Sequence, residues 1–124
     1  MKITSFNPCI ITPRYDETVA LFEALGFERR HMQENIDNQD IKSVRMKNEG
    51  GFHVDITFNA KLPQDMTTIR MNVDDIDEAV KMLEERGFKN RLGRIVDQGS
   101  SLNAQMQSPG GFIITVVHHV KKHN

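Results

Sequence analysis

Two short glycine-phenylalanine signatures recur at a fixed distance, and this spacing constrains the fold more than any other feature of the chain. Gly26-Phe27 returns 61 residues later as Gly87-Phe88, and Gly50-Gly51-Phe52 returns 60 residues later as Gly110-Gly111-Phe112. In a chain of 124 residues, a period of about 60 leaves room for two copies of one unit. The single residue lost between the landmarks of the second copy belongs in a loop, where such changes cost least. The expected organisation is one domain, 1–124, built from pseudo-repeat modules 1–60 and 61–120.

Each copy carries one helix signal before its Gly-Phe pair. Ile76, Ala79, Val80 and Leu83 follow the i, i+3, i+4, i+7 spacing of a one-sided apolar stripe. Asp75 is placed to cap that helix, Glu78 sits three residues later as in a capping box, and Gly87 supplies the left-handed residue after the last turn. The first helix is expected from about Asp16 to Leu25, with Thr18, Val19 and Phe22 on one face.

The remaining material alternates at period two, as half-buried strands do. Ile69, Met71 and Val73 alternate with Thr68, Arg70 and Asn72, and Val54, Ile56 and Phe58 alternate with His53, Asp55 and Thr57. The segments Ile41 to Lys47 and Leu102 to Gln107 match, Val44 and Met46 corresponding to Ala104 and Met106. Each half is therefore written β-α-β-β-β, giving an α+β protein of two tandem modules with a curved mixed sheet. Helix packing covers one sheet face. The other face carries Asn7, Cys9, Ser43, Arg45, His53, Asp55 and Thr57 from the first copy. From the second it carries Thr68, Arg70, Asn72, Asn103, Gln105, Thr115 and Val117. Side by side, two such faces would line a cup.

Composition narrows the function classes. Sixteen Lys and Arg oppose 17 Asp and Glu, interspersed along the chain, so neither nucleic acid nor a membrane surface is an expected partner. No apolar run has the length of a transmembrane span, and the N-terminus has no secretory pattern. Cys9 is the one cysteine, in keeping with a reducing compartment, and the chain is expected to be cytoplasmic. Disorder is expected only in the tail from Lys121 to Asn124.

Val19-Ala20-Leu21-Phe22-Glu23-Ala24-Leu25-Gly26-Phe27, Val73-Asp74-Asp75-Ile76-Asp77-Glu78-Ala79-Val80 and Ser108-Pro109-Gly110-Gly111-Phe112 together resemble the vicinal oxygen chelate superfamily. That group contains glyoxalase I, extradiol dioxygenases, and bleomycin and fosfomycin resistance proteins. The likeness runs over about residues 1 to 120 and implies the glyoxalase/bleomycin-resistance-type fold and a homodimer. It also implies a divalent metal held by four side chains, whose positions here fall on Asn7, Asp55, Thr68 and Thr115. Only Asp55 is a good ligand for a catalytic divalent ion, so no metal and no cofactor are expected.

Other residues carry a sharp and a plain reading. His53 and Asp55 share a strand face and are either an acid-base pair or mere neighbours. Arg45 and Arg70 present forks suited to a carboxylate or phosphate, unless one of them pairs with Asp55. Cys9 reads as a small buried side chain, His118 and His119 as edge and tail residues, and Met46, Met71, Met82 and Met106 as core filling. The expected function is binding of a small polar or anionic molecule by Asn7, Arg45, His53, Asp55, Thr68, Arg70, Gln105 and Thr115, without a catalytic metal. The alternative is a divalent-metal-dependent lyase, isomerase or dioxygenase of the same superfamily.

Overall fold

The computed structural model describes residues 1–33 and 42–120, the side chains of 31–33 excepted. Ile41, expected to open a strand, and the tail from Lys121 to Asn124 lie outside the described residues. The chain divides into two compact units, Asn7–Thr67 and the combination of Met1–Phe6 with Thr68–Asn124.

The first unit takes most of β1 (Ile3–Thr12), then α1 (Tyr15–Ala24), β2 (Glu28–Gln33), β3 (Ser43–Lys47) and β4 (His53–Phe58). Strand β4 pairs parallel with β1 and antiparallel with β3, and β3 pairs antiparallel with β2. Tyr15, Val19, Val44, Met46, Val54 and Ile56 form the buried cluster, with Ile10, Phe22, Phe27 and Phe58 packed against it. These are the apolar members of the period-two pattern, and each full burial contributes about 1.5–3 kcal/mol.

The second unit takes most of β5 (Met66–Val73), then α2 (Ile76–Glu84), β6 (Lys89–Asn90), β7 (Val96–Asp97), β8 (Ser101–Gln107) and β9 (Ile113–His119). Strand β9 pairs parallel with β5 and antiparallel with β8, and β8 also pairs with both β6 and β7. Met71, Val73, Ile76, Ala79, Val80, Ala104, Met106 and Val116 form its cluster.

Both helices end as their Gly-Phe pairs require. Phe27 N–H donates to Phe22 O at 2.9 Å and Gly26 N–H to Glu23 O at 3.0 Å; Phe88 N–H donates to Leu83 O at 3.0 Å and Gly87 N–H to Glu84 O at 3.1 Å. This is the Schellman pattern, with Gly26 at φ 98° and Gly87 at φ 92°. The Gly-Gly-Phe turns also match. Gly51 N–H bonds Asn48 O and Gly111 N–H bonds Ser108 O, both at 3.0 Å, each closing the hairpin that sets the register of the next strand.

Three expectations need correction. The strand after α2 is broken into β6 and β7, so the second module has four strand segments after its helix. Asn90 causes the break: its Oδ1 accepts from Leu92 N–H at 3.1 Å and its Nδ2 donates to Arg94 O at 3.1 Å, curling the chain into a turn. Met82 is 38% exposed on α2 and fills no core. The capping box is completed differently: Asp75 accepts from Glu78 N–H at 3.1 Å, while the Glu78 carboxylate accepts from the Met1 amine at 3.0 Å.

Candidate functional site

In the first unit, hairpin pairing across Gly50 puts Arg45 directly opposite Asp55, and the parallel pairing of β1 puts Cys9 on Asp55's other side. Arg45 binds the carboxylate with two donors, Nε to Oδ1 and Nη2 to Oδ2, both at 3.0 Å. Asn7 closes a triangle: its Nδ2 donates to Asp55 Oδ2 at 2.6 Å and its Oδ1 accepts from Arg45 Nη2 at 3.2 Å. Asp55 is 1% exposed. A carboxylate so deeply buried stays charged only if such partners replace its water.

His53 lies one pleat along β4, opposite Lys47. Partial burial lowers its pKa below the ordinary 6.5; Arg45 and Lys47 push the same way, and Asp55 opposes them. The imidazole is thus held toward its neutral form. Lys47 was missed in the sequence reading, although it sits two residues beyond Arg45 and therefore on the same strand face. Cys9 is buried, with Sγ 3.9 Å from Thr57 Oγ1.

In the second unit, pairing across Gly110 sets Gln105 opposite Thr115, and β5 brings Arg70 to Thr115's other side. Thr68 and Thr115 share a hydrogen bond at 3.0 Å, and Arg70 Nε donates to Asn72 Oδ1 at 3.1 Å. The spacing of the modules makes Gln105 and Thr115 the counterparts of Arg45 and Asp55, and Thr68 the counterpart of Asn7. The Thr68–Thr115 bond therefore answers the Asn7–Asp55 bond. The two arginines, treated alike in the sequence, occupy different places: Arg45 on a hairpin strand, Arg70 on the first strand of its module.

The predicted residues thus form one group in each unit: Asn7, Arg45, Asp55 and His53 in one, and Thr68, Arg70, Gln105 and Thr115 in the other. The four positions implied as metal ligands offer one carboxylate, one amide and two hydroxyls. Both carboxylate oxygens already accept charged or amide donors, and the hydroxyls bond each other. Among the described residues no group of three His, Cys, Asp or Glu is arranged to hold a metal ion. This donor set does not fit a catalytic divalent ion, which needs about three imidazole, carboxylate or thiolate groups.

No protein-family model matches the sequence. A stretch of 87 residues, 68% of the chain, is 25% identical to nuclear segregation protein BFR1 of Saccharomyces cerevisiae. The match spans 18% of that protein's length, so its biology does not transfer. Solved structures are far more informative about the fold. Methylmalonyl-CoA epimerase from Mycobacterium tuberculosis is similar with a TM-score of 0.74 at 15% identity, over 96% of this chain and 90% of that one. The Streptomyces coelicolor methylmalonyl-CoA epimerase variant S115T, in complex with 2-nitronate-propionyl-CoA, gives 0.72 at 16% identity over 99% of each chain. A glyoxalase/bleomycin resistance protein/dioxygenase superfamily member from Vibrio splendidus 12B01 gives 0.62 at 13% identity, over 94% and 99%. The chain therefore has the fold of the glyoxalase/bleomycin resistance/dioxygenase proteins, the vicinal oxygen chelate architecture that its repeated motifs resemble.

Proposed function

We propose that the chain binds a small polar or anionic molecule over its polar strand faces, without a catalytic metal, as a cytoplasmic homodimer. The charge pattern of those faces carries this reading. Asp55 is the one carboxylate among the polar-face residues named above, and it is matched by Arg45. Arg70 stands among Thr68, Asn72, Gln105 and Thr115, none of which is charged. Neutral donors with two guanidinium groups among them suit a carboxylate or phosphate. Support also comes from the fold neighbour that holds 2-nitronate-propionyl-CoA, because coenzyme A thioesters carry several phosphate charges.

A thermal-shift series tests the reading with acetyl-CoA, small carboxylates, inorganic phosphate and cationic amines, on the unchanged protein and on Arg70→Ala. Anions are expected to raise the melting temperature and Arg70→Ala to remove most of the rise. Stabilisation by the amines alone would overturn the proposal and make Asp55 the anchor for a basic ligand.

A second reading, a lyase, isomerase or dioxygenase dependent on a divalent metal, is favoured by the epimerases among the fold neighbours. His53, held toward neutrality, would be its candidate base. Stoichiometric Zn, Ni, Fe or Mn in the purified protein, lost on Asp55→Ala, would put this reading first.

A further inference from the structure

We infer that Lys47 and His53 together hold a phosphoryl group of a bound molecule on the polar face of the first module. The inference extends the anion-binding reading above, which Arg70 carries in the other unit, and rests on it for the class of ligand. Lys47 and His53 are register partners at the mouth of the Gly50-Gly51 hairpin. Such partners have their Cβ atoms about 4.5–5.5 Å apart on one face, so the ammonium and the imidazole stand side by side. Both residues are half-buried. Among the described residues, no hydrogen bond or ion pair occupies the Lys47 ammonium or the His53 ring nitrogens.

The carboxylates that face the pair are already engaged. Asp55, two residues beyond His53 on β4, accepts from Arg45 through both oxygens at 3.0 Å. Glu28, the partner of Lys47 on β2, has its carboxylate 3.5 Å from Arg30 Nη2. Burial, Arg45 and Lys47 all oppose protonation of His53, and Asp55 alone favours it, as expected where the local field is positive. A guanidinium fork matches a planar carboxylate, whereas an ammonium is a point charge whose three donors reach a tetrahedral oxyanion from any side. Neutral imidazole adds one N–H donor beside it. A phosphomonoester carries about 1.5–2 negative charges near neutral pH, against one for a carboxylate, and gains more from the same field. In the second module the counterpart positions hold Gln107 and Ile113, paired in the same register, so the cationic pair belongs to the first module.

The test is an NMR titration of the full-length protein at about pH 7.5 with phenyl phosphate and with benzoate. It follows the His53 imidazole signals, assigned by their loss in His53→Gln. Phenyl phosphate is expected to shift them saturably, and to bind there at least about threefold more tightly than benzoate. Lys47→Gln is expected to weaken phenyl phosphate at His53 at least about tenfold, and Lys47→Arg to restore it to within about threefold. Arg70→Ala, and Lys61→Gln on the exposed connection after β4, are expected to change that constant by less than about twofold. Melting temperatures without ligand check that each variant is folded. No saturable response at His53, or equal weakening by Lys47→Gln and Lys61→Gln, would overturn the site; benzoate binding as tightly as phenyl phosphate would overturn the phosphoryl assignment. A silent His53 beside an Arg70-dependent rise in melting temperature would sink this inference and leave the wider anion-binding reading standing. A His53 response that depends on Lys47, with no stabilisation that depends on Arg70, would do the reverse.

Discussion

Burying the carboxylate of Asp55 is tolerable because its partners arrive preassembled, and this makes the triangle asymmetric to mutation. Removing Arg45 takes both guanidinium donors from a buried carboxylate, so Arg45→Ala is expected to destabilise the protein by about 3–5 kcal/mol. Replacing both charges by apolar groups, as in Arg45→Met/Asp55→Leu, is expected to cost much less, and a double-mutant cycle by urea denaturation measures the difference. His53 gives a separate pH signature. Its folded pKa lies below 6.5 because burial, Arg45 and Lys47 oppose protonation, whereas the unfolded chain takes up the proton near 6.5. The unfolded state binds more protons in between, so this contribution is complete above 6.5 and is lost as pH falls from 6.5 through the folded value. His53→Gln is expected to lose less stability than the unchanged protein between about pH 7.5 and pH 5, read from urea midpoints. Period two was enough to place Arg45, Asp55 and His53 on one face. It could not say which arginine pairs with Asp55, because that depends on the register set by the Asn48–Phe52 turn.

At the level of elements, the two Gly-Phe caps look identical in sequence and differ in surroundings. Both glycines hold positive φ, where an L side chain costs about 1–2 kcal/mol. A Cβ on Gly26 would meet open space, whereas one on Gly87 would stand 3.0 Å from Pro109 Cγ. Gly87→Ala is therefore expected to destabilise more than Gly26→Ala, both by at least about 1 kcal/mol, in denaturant midpoints at unchanged slope. Helix α2 was legible because cap, stripe and terminal glycine all agree, and consistent local signals are what fix an element. The break between β6 and β7 was not. It comes from one asparagine side chain bonding its own neighbours, a local competition that hydrophobic periodicity does not register. Met82 was misplaced for a related reason: helix position alone does not give the face, and Ile76, Ala79 and Val80 already fill the buried stripe.

For the whole molecule, the same architecture supports unrelated chemistries, so the residues on the polar faces decide between binding and turnover. Those faces offer a metal one good ligand, and that ligand already holds a guanidinium. The purified protein is therefore expected to contain substantially less than one transition metal per chain by elemental analysis. Ligand binding should appear instead as mass-action stabilisation. An anion at about a hundred times its dissociation constant adds roughly 2.7 kcal/mol to the native state. For a domain of this size, about 3–5 °C accompany each kcal/mol, so a true ligand is expected to raise the melting temperature by roughly 10 °C. The shift should grow with the logarithm of ligand concentration once the site is saturated, which separates a specific site from general salt effects. It should also survive in EDTA, since no ion takes part, and shrink in Arg70→Ala. A comparable rise that vanished in EDTA would mean that the anion is held through a metal, and the chemistry of the site would then be that of the metal enzymes sharing this fold.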